Sequence, residues 1–543
     1  DFLRRDIESI ESFYRRNGFF DVEAWIEFVN EDERKNSVHV RIMVNEGPQT
    51  IIRKLEFSGQ DIISEKDLLE DLKMVEGNHY NPNLLDVDQY SLFSKFFEKG
   101  YLRAEIKYDV DIDSTEVDLS WTITPGEPVR IADIELCGNE RVAEGLIRRE
   151  LVITKGEYFK LKKILESKQN LYDTGYFNSV EIEPADFNSE DGSVDLALQV
   201  RERKMGYIEA GIGVGNVRGN RVFLEWGQRN LLGRGYALNL RSEYAFRLFP
   251  ENEYKLSKLE FWERYQRHGG ELRFPHVFST WNTFAVGAFY TRDATVEPVV
   301  VKTTSANASV SRRFTRQTSM LLTYRLEHVR RENIEDEREK SRRRSFDLTY
   351  TRDGRDFYFN PKQGRYLNAK GRYAGGFLGG QDHYYSLIGS YQAYRKIGKQ
   401  TVFAYRLRSG YAQSFGDSRE TGVPLESRFF TGGGNSVRGY KENSLGPLED
   451  DGSPIGGRVL LLTNVELRFP LPYFAKYNFG GALFIDGGNV WSSVEEIELR
   501  HFNPFIASGG MSSLHYRYSI GCGIRYNTPV GPIRIDMGLP LSK

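Results

Sequence analysis

Tyr516-Arg517-Tyr518-Ser519-Ile520-Gly521-Cys522-Gly523-Ile524-Arg525-Tyr526-Asn527 alternates without a break. Tyr516, Tyr518, Ile520, Cys522, Ile524 and Tyr526 share one face of an extended chain, and Arg517, Ser519, Gly521, Gly523 and Arg525 share the other. A period of two is that of a β-strand. Two architectures present such a strand. A soluble sandwich buries the apolar face in a shared core and turns the polar face to water. A transmembrane barrel turns the apolar face to lipid and the polar face to a wet lumen.

The same pattern recurs through the second part of the chain, and the repetition favours the barrel. In 402–410, Phe403, Tyr405 and Leu407 oppose Ala404, Arg406 and Arg408. In 533–539, Ile533, Ile535, Met537 and Leu539 oppose Arg534, Asp536 and Gly538. Aromatic residues gather near strand ends, as in the girdles of membrane barrels. Fifteen such segments begin near Tyr207, Arg221, Tyr236, Tyr254, Trp281, Thr303, Thr318, Ser345, Gly364, His383, Thr401, Arg458, Phe479, Tyr516 and Gly531. A sixteenth candidate, 270–274, is short and closed by Pro275. The mixed charge run 330–344 reads as a solvated loop.

Composition is compatible with this reading. No apolar run approaches the roughly 18–20 residues of a membrane helix. Mean hydropathy is −0.52, which a barrel tolerates because half of every strand is polar. Residues 1–204 hold 27 Lys and Arg against 43 Asp and Glu, and residues 205–543 hold 47 against 33. A net charge of −2 thus conceals an acidic first region and a basic second one in different surroundings. The two cysteines, Cys137 and Cys522, lie far apart and suggest neither a disulfide framework nor a metal site. Asp1 with no leader reads as a mature or trimmed start.

The first region is repetitive. Asn17-Gly18-Phe19-Phe20, Lys99-Gly100-Tyr101-Leu102 and Thr174-Gly175-Tyr176-Phe177 each precede two alternating strands joined by a polar turn. Residues 85–97 and 161–172 carry apolar side chains at helical spacing, and Ser64 with Glu65 and Asp67 has the form of a helix start. The unit is β-α-α-β-β, and each glycine suits the position after a helix end. The boundaries are 1–48 for a partial unit, 49–127 and 128–204 for complete ones, and 205–543 for the barrel. Exposed strand edges in such units suit an extended peptide, and a spacer that only positions the next domain is the alternative.

One connection interrupts the strands at length. It contains Phe430-Thr431-Gly432-Gly433-Gly434-Asn435-Ser436-Val437-Arg438-Gly439-Tyr440. Long ordered loops on rigid scaffolds concentrate function. Alternation in 459–469 turns Asn464, Glu466 and Arg468 inward, and alternation in 479–486 turns Phe484 and Asp486 inward. If the loop folds into the lumen, the Arg438 fork meets two carboxylates, Glu466 and Asp486. The competing reading leaves all three as unrelated lumen charges. No nucleophile elbow, phosphate-binding loop or metal-ligand cluster is found, so no enzyme, catalytic residue, metal or cofactor is expected.

These stretches together resemble the outer-membrane protein assembly factor superfamily of the BamA/TamA type. Val437-Arg438-Gly439-Tyr440 resembles its conserved loop, Phe484-Ile485-Asp486-Gly487-Gly488 its F-x-D-x-G strand, Asn464-Val465-Glu466 its glutamate strand, and the repeats its POTRA domains. Residues 353–364 and Thr528-Pro529-Val530-Gly531-Pro532 are similar to further family stretches. The resemblance implies α+β POTRA repeats followed by an all-β sixteen-stranded transmembrane β-barrel, in the bacterial outer membrane with the repeats in the periplasm. It implies insertion of other β-barrel proteins, without nucleotide. Arg438, Glu466 and Asp486 become a structural latch, held by a loop of Gly432, Gly433, Gly434, Val437, Gly439 and Tyr440 beside Phe484 and Gly488. Tyr207, Ile208, Gly211 and Gly213 lie on the first strand, at a weak seam. The implied partners are unfolded outer-membrane clients, periplasmic chaperones or accessory lipoproteins, and the lipopolysaccharide and phospholipid membrane; nucleic acid is not among them. The family closes on a strand ending in an aromatic, whereas this chain ends Pro540-Leu541-Ser542-Lys543, so a missing last strand is expected. A two-partner secretion translocator, passing a polypeptide through the lumen, is the alternative.

Overall fold

The computed structural model describes residues 2–541 except 33–36, 114, 189–191, 216–218, 247–264, 280–281, 296–298, 333–337, 399, 451, 475–476, 505–511 and 529–530. The chain forms two compact units, Asp1–Lys204 and Met205–Lys543.

The first unit opens with α1 (Phe2–Arg15) and the hairpin β1 (Glu23–Asp32) and β2 (Ser37–Asn45). Two complete repeats follow. One runs β3 (Ile51–Ser58), α2 (Glu65–Leu69), α3 (Leu85–Glu98), β4 (Glu105–Asp113) and β5 (Glu116–Thr124). The other runs β6 (Arg130–Cys137), α4 (Glu144–Glu150), α5 (Leu161–Asp173), β7 (Phe177–Asn188) and β8 (Ser193–Glu202). Each sheet places its last strand in the middle, in the orders β3-β5-β4 and β6-β8-β7.

The sequence dictates these elements locally. The Ser64 hydroxyl accepts the Asp67 amide at 3.2 Å and caps α2. Leu85, Leu92 and Phe96 line one side of α3 and are buried with Val117, Leu119, Trp121 and Ile123 of β5. Each such side chain contributes about 1.5–3 kcal/mol when fully buried. Asp88 is buried in the same layer, and its carboxylate accepts the Lys73 and Met74 amides at 2.9 and 2.7 Å. Gly100 follows α3 with φ of 97°, and the Tyr101 amide returns to the Phe96 carbonyl at 3.0 Å, which closes the helix end. The Gly100 carbonyl then accepts the Val129 amide of the next repeat at 2.8 Å, as the Gly18 carbonyl accepts Thr50 at 3.0 Å.

The second unit is one antiparallel sheet of fifteen strands in chain order among the described residues. They are β9 (Gly206–Gly215), β10 (Gly219–Leu231), β11 (Tyr236–Phe246), β12 (Tyr265–Phe274) and β13 (Asn282–Asp293). Next come β14 (Val300–Arg313), β15 (Thr318–Glu332), β16 (Arg338–Asp353), β17 (Gly364–Ala374) and β18 (Tyr384–Ile397). The last are β19 (Thr401–Ser414), β20 (Val459–Pro470), β21 (Phe479–Trp491), β22 (Arg517–Thr528) and β23 (Gly531–Pro540). β9 and β23 stand at the two ends of this order.

Burial in this unit is inverted relative to a water-soluble protein. Leu483, Ile485, Ile520, Ile524 and Ile535 are exposed, whereas Arg343, Asp347, Arg438, Asp486 and Arg525 are buried. Apolar side chains outside and paired charges inside are the arrangement lipid selects. The sheet also curls. Asn360, between β16 and β17, donates to Asn527 at the end of β22 at 2.9 Å, although β18 to β21 lie between β17 and β22 in the sheet.

Two expectations change, and a third is untested. The strand placed at Tyr254 lies outside the described residues. The short candidate 270–274 is the end of a ten-residue strand, β12, which pairs directly with β11 and β13. The charge run 330–344 is no loop over its described part: Glu332 ends β15, and Arg338 to Arg344 begin β16. Ser341, Arg343, Ser345 and Asp347 are buried while Arg342 and Arg344 are exposed. Both faces are polar there, so the apolar alternation that reveals a strand is missing.

Candidate functional site

The connection from Phe415 to Arg458, between β19 and β20, folds back onto the inner face of the sheet. Gly432 and Gly433 have φ of 108° and 97°, and the Gly433 amide reaches the Val437 carbonyl at 3.2 Å. A side chain at Gly432 would meet the Lys441 carbonyl at 2.5 Å, so the turn closes only on glycine. Gly434 differs: nothing lies within 4 Å of a Cβ placed there.

Each residue of Val437-Arg438-Gly439-Tyr440 then engages a different part of the wall. Val437 is fully buried with Leu445, Leu460, Leu462 and Val490. Its methyl occupies the space a side chain at Gly488 would need, at 2.8 Å. Gly439 lies on β23, where a Cβ would meet the Gly538 carbonyl at 2.7 Å. The Tyr440 hydroxyl donates to the Tyr518 carbonyl of β22 at 3.1 Å.

Arg438 is the centre. Its Nε and Nη2 donate to the two Asp486 oxygens at 2.7 and 2.8 Å, and its backbone amide adds a third bond at 3.1 Å. Nη1 donates to Glu466 at 2.9 Å and to Asp536 at 3.1 Å. The guanidinium lies 3.4 Å from the centre of the Phe484 ring. The Phe484 ring in turn fills the place of a side chain at Gly521. Asn464 bridges the Asp486 carboxylate and the Ser436 carbonyl at 2.8 and 2.7 Å. Arg468 donates to Glu466 at 2.8 Å, and Arg525 joins Glu466 to Asp536.

The three residues expected to meet therefore do meet, and two more belong with them. Asp536 and Arg525 lie on the charged faces of β23 and β22, so alternation had already turned them inward. No periodicity carries the path of the loop that brings Arg438 to them.

A second charged cluster holds an earlier part of the same loop. Glu426 accepts Arg331 of β15 at 2.8 Å and pairs also with Arg343 of β16. Arg331 and Arg343 share Asp382 at 3.2 and 2.7 Å, and Ser341 donates to the same carboxylate at 2.7 Å. Burial pushes the Glu426 carboxyl up, but the two guanidiniums outweigh it and hold it at about 2. No periodicity announces this cluster, because its strand segment is charged on both faces.

On β9, Tyr207 and the glycines at 211 and 213 face inward, and Ile208 faces outward at 73% exposure. The Tyr207 hydroxyl lies 3.0 Å from both Glu225 and Asn239, with Arg229 above its ring. The Phe223 ring and the Arg221 side chain of β10 lean across the space over Gly211 and Gly213. β9 thus contributes almost no inner side-chain packing of its own beyond Tyr207 and Glu209.

Comparison with known proteins is consistent with this architecture. The profile of the Omp85 superfamily domain matches residues 230–543, and the POTRA profile, described as a surface antigen variable number repeat, matches 50–126 and 129–203. The outer membrane protein assembly factor BamA of Nitratidesulfovibrio vulgaris is 24% identical over 566 residues, covering 100% of this chain and 66% of that protein. Its counterpart in Neisseria meningitidis serogroup B is 24% identical over 589 residues, covering 99% of this chain and 70% of that one. The chain therefore spans about two thirds of the length of these relatives. The crystal structure of BamA from Haemophilus ducreyi lacking POTRA domains 1–3 shares the fold, with a TM-score of 0.69 at 19% identity over 91% of this chain and 97% of that one.

Proposed function

The chain belongs to the Omp85 superfamily, and from that premise we propose that it assembles β-barrel proteins and inserts them into the bacterial outer membrane. The observation that carries the reading is the order of parts: POTRA repeats with free strand edges, then a lipid-facing sheet whose first strand is poorly packed. An unfolded client is an extended chain with unpaired backbone groups. In lipid each such group costs several kcal/mol. The edges of β4 and β7 offer backbone partners in the periplasm, and β9 offers them at membrane depth. Handing the client from one to the other forms strands before they meet lipid. Periplasmic chaperones, accessory lipoproteins and lipopolysaccharide are its proposed surroundings, and the activity makes no covalent bond.

In this reading Arg438 is a structural latch with Glu466 and Asp486, closed further by Asp536. It holds the loop against β20 to β23 and so stiffens the wall far from β9 in chain order. Tyr207, Ile208, Gly211 and Gly213 form the compliant side.

The test is reconstitution of the protein into vesicles with an unfolded eight-stranded outer-membrane client, folding being followed by heat-modifiable gel mobility. Accelerated client folding over empty vesicles is expected. With Cys137 and Cys522 replaced by Ser, a disulfide joining β9 to the closing strand of the barrel should abolish the acceleration, and reduction should restore it. Unchanged folding with the disulfide closed would remove the seam from the mechanism.

A further inference from the structure

The charges around the loop tip do not cancel. Glu466, Asp486 and Asp536 are shared among Arg438, Arg468 and Arg525. Two further arginines reach the same space from opposite strands, Arg406 of β19 and Arg534 of β23, and neither has a carboxylate partner among the described residues. Within this network five guanidiniums against three carboxylates leave an excess of two positive charges, and the Glu442 carboxylate, which lies against Gly433, does not line the cavity that Arg406 and Arg534 border.

The two surplus arginines converge on one residue. Arg406 Nη1 donates to the Asn435 carbonyl at 3.1 Å, and Arg534 Nη2 donates to the Asn435 side-chain oxygen at 3.3 Å. Both acceptors are neutral, so each guanidinium keeps most of its donors for something else. Arg406 Nε is buried and has no acceptor among the described residues. A buried donor without an acceptor costs free energy that a bound anion recovers. These groups border a cavity of about 200 Å3, lined also by Tyr394, Arg468 and Gly434. That is room for several waters at about 30 Å3 each, and so for one small oxyanion. Gly434 opens onto free space, so nothing in the loop tip blocks it.

We infer that this cavity is a binding site for a single small oxyanion, a carboxylate or a phosphate monoester, held in the forks of Arg406 and Arg534 over the loop tip. Planar guanidinium forks match such an oxyanion with paired hydrogen bonds. Low-dielectric walls carrying charge of one sign concentrate the opposite ion. The ligand would clamp β19 to β23 through Asn435, which ties occupancy of the site to the seating of the loop.

The test uses the full chain in detergent micelles in a phosphate-free buffer at constant ionic strength, with thermal unfolding read by tryptophan fluorescence. Inorganic phosphate should raise the midpoint along a saturable curve. Arg406→Gln and Arg534→Gln should each shift that curve to about tenfold higher phosphate, the loss of one strong anion contact. Arg316→Gln, exposed in a turn between β14 and β15, should leave it in place. Gly434→Glu should raise the midpoint without phosphate and erase the response, because it supplies a tethered carboxylate. That variant keeps the test open if Arg406→Gln fails to fold. A parallel acetate series separates the sources: saturation at lower phosphate assigns a phosphate monoester, and saturation at lower acetate assigns a chain-end carboxylate. A linear response, no response, or a curve left unshifted in both arginine variants would make the ion adventitious and overturn the site.

Discussion

At the scale of single residues, Arg438 concentrates the energetics of the barrel wall. It makes five hydrogen bonds to three carboxylates and covers a phenyl ring. Removing one member of a buried charge network leaves its partners uncompensated, at about 3–5 kcal/mol. Arg438→Ala should therefore lower the unfolding midpoint strongly, while Arg438→Lys should recover only part of the loss. A lysine ammonium reaches one carboxylate and lacks the planar fork that pairs with Asp486. Heat-modifiable mobility as a function of urea measures both, and equal stability of the Lys variant and the parent would contradict the fork argument. Glu466 and Asp486 were legible in the sequence because a period of two fixes which side chains turn inward. Glu426 and Asp382 were not, because they lie in connections, where side-chain direction follows from no period.

At the scale of elements, the loop and β23 touch backbone to backbone, and glycine is the condition of that contact. A Cβ at Gly538 would meet the Arg438 carbonyl carbon at 2.7 Å and the Gly439 amide nitrogen at 2.9 Å, backbone atoms rather than the end of a flexible side chain. Gly434, one turn away, has open space and ordinary φ. Gly538→Ala should cost about 1–3 kcal/mol through overpacking, whereas Gly434→Ala should be near neutral. Protease cleavage of the loop should rise in the first variant alone. Equal behaviour of the two variants would mean that the loop is not seated on β23. Sequence reading grouped the three successive glycines 432–434 as one motif. The structure separates them: two are required by positive φ and close contact, and the third leaves space at the cavity. Strand existence was readable for most of the sheet from alternation, but β12 was seen only in its last five residues, and the reading failed at the start of β16, where the strand carries charge on both faces.

At the scale of the whole molecule, the acidic and basic regions of the sequence coincide with the two compact units. Each solves its own packing problem, the first with a buried apolar layer under helices and the second with buried charges inside an apolar shell. The proposed latch also carries information about time. Arg438 lies in the connection before β20, yet its partners follow it at positions 466, 486 and 536. Its own loop cannot settle until nearly a hundred later residues have paired, and long sequence separations make contacts slow to form. The seated loop is therefore a completion mark in the biogenesis of the barrel. A chain cut before Gly531 should build β9 to β22 and still expose the loop to protease, and a chain that includes β23 should protect it only after β23 has docked. Pulse-chase proteolysis of the two chains would show whether the arginine closes last.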